Sequence, residues 1–271
     1  VLGVPVAHLH GGETTEGAFD EAIRHAVTKM SHLHFVAAEE YRRRVVQLGE
    51  QPERVFLVGG LGVDAIERLE LMDREQLEDF LGFPLGKRSL LITVHPVTLV
   101  RGSAEDQTAE LLAALAHEPD TTLIFTMPNA DTENRRIVEQ IEAFVAAHDN
   151  AHSFVSLGQK GYLSCMQHVD GVVGNSSSGL AEAPAFHVGT VNIGDRQKGR
   201  LKAASVIDCE PDRDSIAAAL KQLRSSEFQR SLSKVSNPYG DGGASEKIVE
   251  VLRTYPLDDI QKKSFYDLKA R

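Results

Sequence analysis

The sequence predicts an α/β protein whose strands form parallel, doubly wound sheets. Two observations lead to this prediction. Short apolar runs alternate with amphipathic runs of helical length along most of the 271 residues, and such alternation is typical of parallel sheets covered by helices. Clusters of glycine, serine and histidine follow several of the predicted strands, at the carboxyl ends where open α/β sheets bind their ligands.

The amino-acid composition limits the kinds of binding partner and the cellular compartment that we expect. An apolar content of 42% over 271 residues suits one and a half to two domains. The net charge of -10 argues against a surface for nucleic acid or anionic membranes. No apolar run approaches the length of a membrane span. Two cysteines, Cys165 and Cys209, lack metal-binding or redox spacing, so we expect a cytoplasmic protein.

The first part of the chain predicts three strands and four helices. The strands are 5–8, 34–37 and 55–58, and the helices are 16–30, 39–48, 64–72 and 74–81. An apolar stripe predicts the buried face of the first helix; it consists of Ala18, Ala22, Ile23, Ala26, Val27 and Met30. The glycine and proline residues of 82–86 predict a domain boundary. The strand at 5–8 enters without a preceding helix, so we expect a further N-terminal portion of this domain.

The second part continues the alternation. The predicted strands are 89–93, 121–127, 152–156, 171–174, 190–193 and 206–208. The predicted helices are 105–115, 133–148, 162–168, 179–185, 216–224 and 245–252. A last amphipathic segment, 258–268, follows the break at Tyr255 and Pro256. We expect this segment to pack elsewhere than on its own sheet.

A serine-rich loop follows the strand 171–174. Asn175, Ser176, Ser177, Ser178 and Gly179 place three hydroxyls and several backbone N–H groups at the start of the predicted helix 179–185. Such a helix start favours an anion, with Ser178 as the N-cap residue. Glu182 falls one place too late for a capping box, so its carboxylate could bind the hydroxyls of a ribose. The alternative is a turn that only caps its own helix.

A glycine turn with ionisable side chains follows the first strand. His10 and Glu13 flank Gly11 and Gly12, and Asp20 lies in the next helix. Carboxylates and histidines near a sugar could transfer protons. The alternative is a tight turn with solvated charges. His8 and His10 share one face of the strand, but no third metal ligand has suitable spacing.

Two further segments could bind phosphate. His95 lies at the tip of a strong strand because Pro96 keeps it extended. It could contact a phosphate or a sugar, or only a neighbouring carbonyl. Arg196 and Arg200 lie in a loop with Lys198 and two glycines, which could hold a diphosphate because arginine binds phosphate bidentately. The alternative is an exposed basic loop.

Together these motifs resemble the UDP-N-acetylglucosamine 2-epimerases, in particular the hydrolysing branch of sialic and legionaminic acid synthesis. The matching residues are spread from end to end: 10–13, 20–32, 95–98, 127–131, 174–179, 194, 196–197, 199–200, 262–263 and 265–266. The resemblance implies two Rossmann-like domains in the glycosyltransferase-B arrangement, the first of them incomplete. The implied domains are 1–82 and 83–254, with 255–271 as a helix that returns to the first domain.

The resemblance also implies a reaction without a cofactor or metal. Anti elimination of UDP gives a glycal, and hydration then gives a mannosamine-type sugar. Glu13 and Asp20 become the candidates for proton transfer, with His10 a weaker one and His95 at the phosphate or leaving oxygen. Residues 175–179, Glu182 and the two arginines bind the nucleotide. Related enzymes are commonly dimers or tetramers, so a homo-oligomer is expected.

The chain departs from the resemblance in two places. The sialic acid enzymes often have Glu-Gly-Gly-Glu where this chain has His10 in the first position. Family members also carry a preceding region with a Gly-Asp-Arg-type motif whose aspartate is thought to be catalytic. Two other functions therefore remain open. One is a glycosyltransferase of the same architecture, and the other is a nucleotide-sugar-binding module without turnover.

Overall fold

The structure is a computed structural model that describes residues 3–16, 20–96, 103–128 and 134–268. The strands are β1 Ala7–Leu9, β2 Leu33–Val36, β3 Val55–Leu57, β4 Ser89–Thr93, β5 Thr122–Thr126, β6 Ala151–Phe154, β7 Gly171–Gly174, β8 Gly189–Ile193 and β9 Val206–Cys209. The helices are α1 Asp20–Met30, α2 Glu39–Gln47, α3 Leu61–Arg68, α4 Arg74–Leu81, α5 Ser103–Leu115, α6 Asn134–Ala147, α7 Gly158–His168, α8 Ser178–Ala181, α9 Arg213–Leu223, α10 Ser226–Leu232 and α11 Ala244–Thr254.

All strand pairs of both sheets are parallel, which confirms the predicted class. The first sheet has the order β1-β2-β3, and the second has the order β6-β5-β4-β7-β8-β9. In the second sheet the chain moves outward from β4 in one direction and then from β7 in the other. Thr93 at the end of β4 pairs with Gly174 at the end of β7. This switch point is where doubly wound sheets open a crevice for ligands.

The chain divides into two compact units at places that differ from the predicted boundaries. The first unit contains Val1–Thr15, Phe19–Arg68 and Asn237–Arg271, and the second contains Glu16–Ala18 and Leu69–Ser236. Helix α4 belongs to the second unit because Leu77 and Leu81 join its core. Helix α11 belongs to the first unit because Ala244 and Ile248 pack with residues of β2. Core packing, rather than the glycine and proline break at 82–86, therefore sets the division.

Helix α1 does not bury the predicted apolar stripe. Ile23 and Met30 are 55% and 66% exposed, and Thr28 is the buried residue of the helix. The Thr28 hydroxyl lies 3.1 Å from Nδ1 of His8 in β1. The sheet formed by β1, β2 and β3 thus packs against the polar side of α1. Ala18 lies outside the described residues.

The C-terminal segment belongs to the first unit, but the helix that the resemblance implied over 255–271 is wrong for the described residues 255–268. A turn at 258–261 is followed by residues without regular structure, up to residue 268. Tyr266 donates its N–H to the Gly49 carbonyl at 2.9 Å. The Phe265 ring lies over Gly49, where an added Cβ would be 2.3 Å from the ring. These contacts replace the hydrogen bonds of a helix.

A buried carboxylate fastens this segment. The side chain of Glu50 is 1% exposed and accepts hydrogen bonds from Lys29 at 2.6 Å, Lys263 at 2.7 Å and His34 at 2.9 Å. Burial, opposed by the charge of Glu50, lowers the pKa of His34 to about 4. His34 is therefore neutral at physiological pH, and two lysines compensate the charge of Glu50.

Across the described ranges, every helix is too short or too polar to traverse a lipid bilayer.

Substitution of Gly174 is expected to destabilise the switch point. Its φ is 132°, and an added Cβ would lie 2.0 Å from the Thr93 carbonyl oxygen. We expect Gly174→Ala to lower the free energy of unfolding by roughly 3 kcal/mol or more. Gly82→Ala is the matched control, because Gly82 has a φ of 83° but would meet no described atom within 4 Å. It should cost about 1 kcal/mol. Urea unfolding measures both, and equal losses would contradict the steric argument.

His34 should make stability depend on pH. Its pKa is about 4 in the folded chain, against 6.5 for an unperturbed histidine. The unfolded chain therefore binds more protons between these two pH values. Well above pH 6.5 the imidazole is neutral in both states and does not reduce the free energy of unfolding. Below that pH the unfolded chain is protonated first, and the free energy of unfolding decreases. We expect a loss of about 2 kcal/mol between pH 6.5 and pH 5, measured by urea unfolding. His34→Gln should remove that part of the slope, and an unchanged slope would contradict the assignment.

Candidate functional site

The loops after β4 and β7 are joined by one side chain. The Oδ1 atom of Asn175 accepts the His95 N–H at 2.7 Å, and its Nδ2 donates to the His95 carbonyl at 2.9 Å. Asn175 is 3% exposed and His95 is 8% exposed. The amide of Asn175 thus continues the strand pairing beyond Gly174. Its geometry indicates that it positions His95, whereas the sequence analysis placed it among the groups that bind substrate.

The serine loop begins a much shorter helix than predicted. Helix α8 has four residues, and Ala183–Phe186 forms a 3-10 helix after it. Pro184 explains the change, because proline lacks the N–H that would continue the α-helical hydrogen bonds. Ser177 is the N-cap residue, without a side-chain capping bond, so the prediction of Ser178 in that position is wrong. The dipole of so short a helix is small.

The hydroxyls of the serine loop bond to each other and to α7. Ser178 Oγ lies 2.9 Å from Ser176 Oγ and 2.6 Å from the hydroxyl of Tyr162. Gly179 allows the loop to pack on β8, because an added Cβ would lie 2.6 Å from Cγ2 of Thr190. The two serine hydroxyls are therefore held at the start of α8 rather than rotating in solvent.

A cavity of about 480 Å³ opens at this edge of the sheet, beside the carboxyl ends of β4, β5 and β6. Its volume falls within the range of small-molecule sites. It is lined by Thr93, His95, Thr126, Met127, Pro128, Val155, Ser156, Leu157, Gly158, Gln159, Tyr162, Ser176 and Ser178. The predicted residues His95, Ser176 and Ser178 thus line one cavity, together with polar groups that the sequence analysis missed.

The loop after β8 reaches the serine loop through one of its two arginines. Arg196 Nη1 and Gln197 Nε2 both donate to the Asn175 carbonyl, at 3.1 and 2.8 Å. Arg200 instead lines a second cavity of about 860 Å³ beside β8 and β9, with Lys198 and Asp208 among its neighbours. Arg196 thus contacts the serine loop, and Arg200 lines the second cavity.

Glu182 ends the short helix that begins at the serine loop. It is half-buried at the end of α8, and its N–H donates to the Ser178 carbonyl at 2.9 Å. Burial raises the pKa of Tyr162, and the negative charge of Glu182 adds to this effect. The carboxylate is thus near enough to the cavity wall to influence the phenol.

In the first unit, the glycine turn pairs His10 with Glu13. His10 Nδ1 lies 2.8 Å from Glu13 Oε1, and Glu13 is 4% exposed. The pairing requires a left-handed backbone at His10, with a φ of 62°. Gly12 passes close to α2, where an added Cβ would lie 2.3 Å from the Tyr41 carbonyl oxygen. The turn thus holds a buried Glu13 beside a His10 side chain that is 39% exposed.

Asp20 belongs to a charge network centred on Arg24. Arg24 bonds to Asp20 at 3.1 Å, to Glu21 at 2.9 Å and to the Glu13 carbonyl at 3.3 Å. Asp20 and Arg24 are four residues apart, so their side chains lie on one face of the helix. Arg24 thus links the glycine turn to α1. Burial, followed by the charge of Arg24, lowers the pKa of His8.

The other predicted features can be placed only in part. Among the described residues, no group of three or more histidine, cysteine, aspartate or glutamate side chains could hold a metal ion. Residues 97–98 and 129–131, which contribute to the family resemblance, lie outside the described ranges.

Comparison with known proteins gives consistent matches. Residues 1–253 match the family model of UDP-N-acetylglucosamine 2-epimerase. A Campylobacter jejuni protein named GDP/UDP-N,N'-diacetylbacillosamine 2-epimerase (hydrolyzing) is 40% identical over 99% of this chain and 70% of its own length. A Legionella pneumophila UDP-N,N'-diacetylbacillosamine 2-epimerase (hydrolyzing) is 36% identical over 94% of this chain and 66% of its own length.

A solved structure supports the fold. The crystal structure of UDP-GlcNAc 2-epimerase from Neisseria meningitidis bound to UDP-GlcNAc has a TM-score of 0.80 to this chain and 19% identity. The match covers 92% of this chain and 70% of that one. The predicted glycosyltransferase-B type of fold is thereby confirmed.

Proposed function

The chain belongs to the UDP-N-acetylglucosamine 2-epimerase family and has the function of a hydrolysing nucleotide-sugar 2-epimerase, and we propose that its substrate is a UDP-activated, N-acetylated sugar. The observation that carries this proposal is the cavity at the switch point, with His95, Ser176 and Ser178 in its wall. The names of the Campylobacter and Legionella relatives support a diacetylbacillosamine-type sugar.

The chemistry follows from the bonds that must change. The C2 proton of the sugar is not acidic, so its removal is coupled to cleavage of the bond between C1 and the diphosphate oxygen. The electron pair of the C2–H bond forms the C1–C2 double bond of a glycal, and UDP leaves. Water then adds its hydroxyl at C1, and a proton enters C2 from the opposite face. The products are UDP and the free 2-epimeric sugar.

Stabilisation of the departing diphosphate is the main electrostatic task of such a site. We assign it to Ser176, Ser178 and the backbone N–H groups at the start of α8, with Arg196 beside them. Ser177 and Gly179 contribute to this site through their backbone N–H groups. Glu182 is assigned to the ribose hydroxyls, because it ends the short helix that begins at the serine loop. Arg200 lines the second cavity, so Arg196 is the arginine that we assign to the diphosphate.

Proton transfer is assigned to the glycine turn. Glu13 holds Nδ1 of His10 at 2.8 Å, which leaves Nε2 of the imidazole as the group that could exchange a proton with the sugar. Asp20 remains a candidate, and its carboxylate lies 3.1 Å from Nη2 of Arg24. His95 is assigned to the leaving oxygen. Neither a metal nor a redox cofactor enters this scheme.

Three further expectations accompany the proposal. A dimer or tetramer is inferred from the family resemblance. A cytoplasmic location is inferred from the cysteine usage, and Cys165 and Cys209 are both unpaired thiols. The rival functions are a glycosyltransferase and a binding module without turnover. A glycosyltransferase would give a glycoside, and a binding module would release no UDP.

Turnover in D₂O tests the reaction. We expect UDP release together with a free sugar that carries deuterium at C2, because the second step takes its proton from solvent. Nuclear magnetic resonance of the product detects the label, and parallel assays with UDP- and GDP-linked N-acetylglucosamine and diacetylbacillosamine identify the preferred substrate. A product without deuterium, or a glycoside, would contradict the epimerase proposal.

The role of Glu182 is tested with the ribose itself. We expect Glu182→Ala to weaken UDP binding about tenfold, because hydrogen bonds from hydroxyls to a carboxylate are lost. Binding of 2′-deoxy-UDP should already be weak in the parent and should change less in the variant. Calorimetry measures both ligands, and Glu142→Ala, an exposed carboxylate of α6, is the control. Unchanged UDP affinity would remove the assignment.

A further inference from the structure

Five hydroxyl groups form a continuous chain in the second unit. Thr126 Oγ1 lies 2.6 Å from Thr93 Oγ1, which lies 3.5 Å from the Tyr162 hydroxyl. The Tyr162 hydroxyl lies 2.6 Å from Ser178 Oγ, and Ser178 Oγ lies 2.9 Å from Ser176 Oγ. This hydroxyl chain runs from the ends of β5 and β4, through α7, to the serine loop.

The hydroxyl chain is shielded from solvent at its inner end. Thr93 and Thr126 are 5% and 6% exposed. Burial raises the pKa of Tyr162, and its hydrogen bonds with Ser178 and Thr93 oppose this effect. The phenol therefore keeps its proton at physiological pH and can act as a donor. All five groups are neutral, and each carries one proton to donate.

A chain of single-proton donors has two polarities. If Thr126 donates to Thr93, and each hydroxyl donates to the next, the proton of Ser176 points out of the chain. If every bond is reversed, Ser176 donates inward and presents only lone pairs. An anion at Ser176 stabilises the first polarity and is repelled by the second. Hydrogen bonds that point in one direction polarise one another and strengthen the last donor.

A second contact occupies one acceptor position of Ser176. The backbone N–H of Ser178 donates to Ser176 Oγ at 3.4 Å, although this bond is long. If Ser176 also accepts from the Ser178 hydroxyl, both of its lone-pair positions are occupied. Its own proton then has no acceptor within this pair and is directed to a ligand.

We infer that Tyr162 is a positioning residue for the diphosphate, which acts through Ser178 to orient the hydroxyl of Ser176. Tyr162 donates to Ser178, Ser178 donates to Ser176, and Ser176 donates to a phosphate oxygen. This inference rests on the proposed function, because it assigns a nucleoside diphosphate to the serine loop. Tyr162 is the single link between the buried threonine pair and the serine loop along the described hydroxyl chain.

Tyr162→Phe tests the inference because it keeps the ring and removes the hydroxyl. Calorimetry with UDP and with uridine separates the diphosphate from the nucleoside. We expect the Kd of UDP to rise about tenfold and that of uridine to change less than about twofold, since the loss of orientation at Ser176 weakens its hydrogen bond to a charged ligand. Tyr255→Phe, in the first unit, is the matched control and should leave both constants unchanged.

A double-mutant cycle tests whether Tyr162 acts through Ser178. Ser178→Ala should weaken UDP binding by itself, and addition of Tyr162→Phe should then have little further effect. Additive losses would overturn the route through Ser178. An equal loss for UDP and uridine in Tyr162→Phe would show a change in cavity shape and would also overturn the inference.

Two outcomes separate this inference from the proposed function. If the parent protein binds UDP and Tyr162→Phe binds it equally well, the inference fails and the proposed function stands. If the parent protein does not bind UDP, both fail. Should Tyr162→Phe not fold, Thr126→Val interrupts the same chain at its far end. It should raise the Kd of UDP two- to threefold without affecting uridine, and no change would overturn the inference.

Discussion

The second unit depends on one side chain that behaves as an additional peptide group. The amide of Asn175 offers an acceptor and a donor to the backbone of His95, so the pairing of β4 with β7 continues after both strands have ended. The backbone carbonyl of the same residue accepts Arg196 and Gln197. Three loops from distant parts of the chain are thus fixed relative to one another by a single buried asparagine. The loops after β4 and β7 are therefore held side by side at the point where a ligand is expected.

Most of the fold could be predicted from local sequence, because the strands are short apolar runs bounded by turn residues. The bounds of β4, β7 and α4 agree with the prediction. Errors arise where a distant contact competes with a local pattern. The amphipathic pattern of 258–268 predicts a helix, but Glu50 and Gly49 hold the segment in another conformation. Helix α10 has no counterpart in the prediction, because seven mostly polar residues give little periodicity.

The candidate site could be predicted where its residues follow strands directly. Sequence position was sufficient to select His95, Ser176 and Ser178, because the carboxyl ends of adjacent parallel strands meet. Sequence position could not select Tyr162, Thr93 and Thr126. Threonine and tyrosine are common in and near strands, and these three come from different elements, so only the packed structure shows that their hydroxyls meet. The prediction also placed Arg196 and Arg200 together, since a loop gives no periodicity that would separate their directions.

The anchoring of the final residues has a practical consequence for handling the protein. Lys263 reaches a carboxylate that is 1% exposed, while Leu268 is 57% exposed. Removal of Leu268 should therefore have little effect, but digestion past Lys263 would leave Glu50 with one counterion fewer inside the protein. A fluorescent or affinity label belongs beyond residue 268, and a shortened chain that ends before residue 263 is a poor choice for crystallisation.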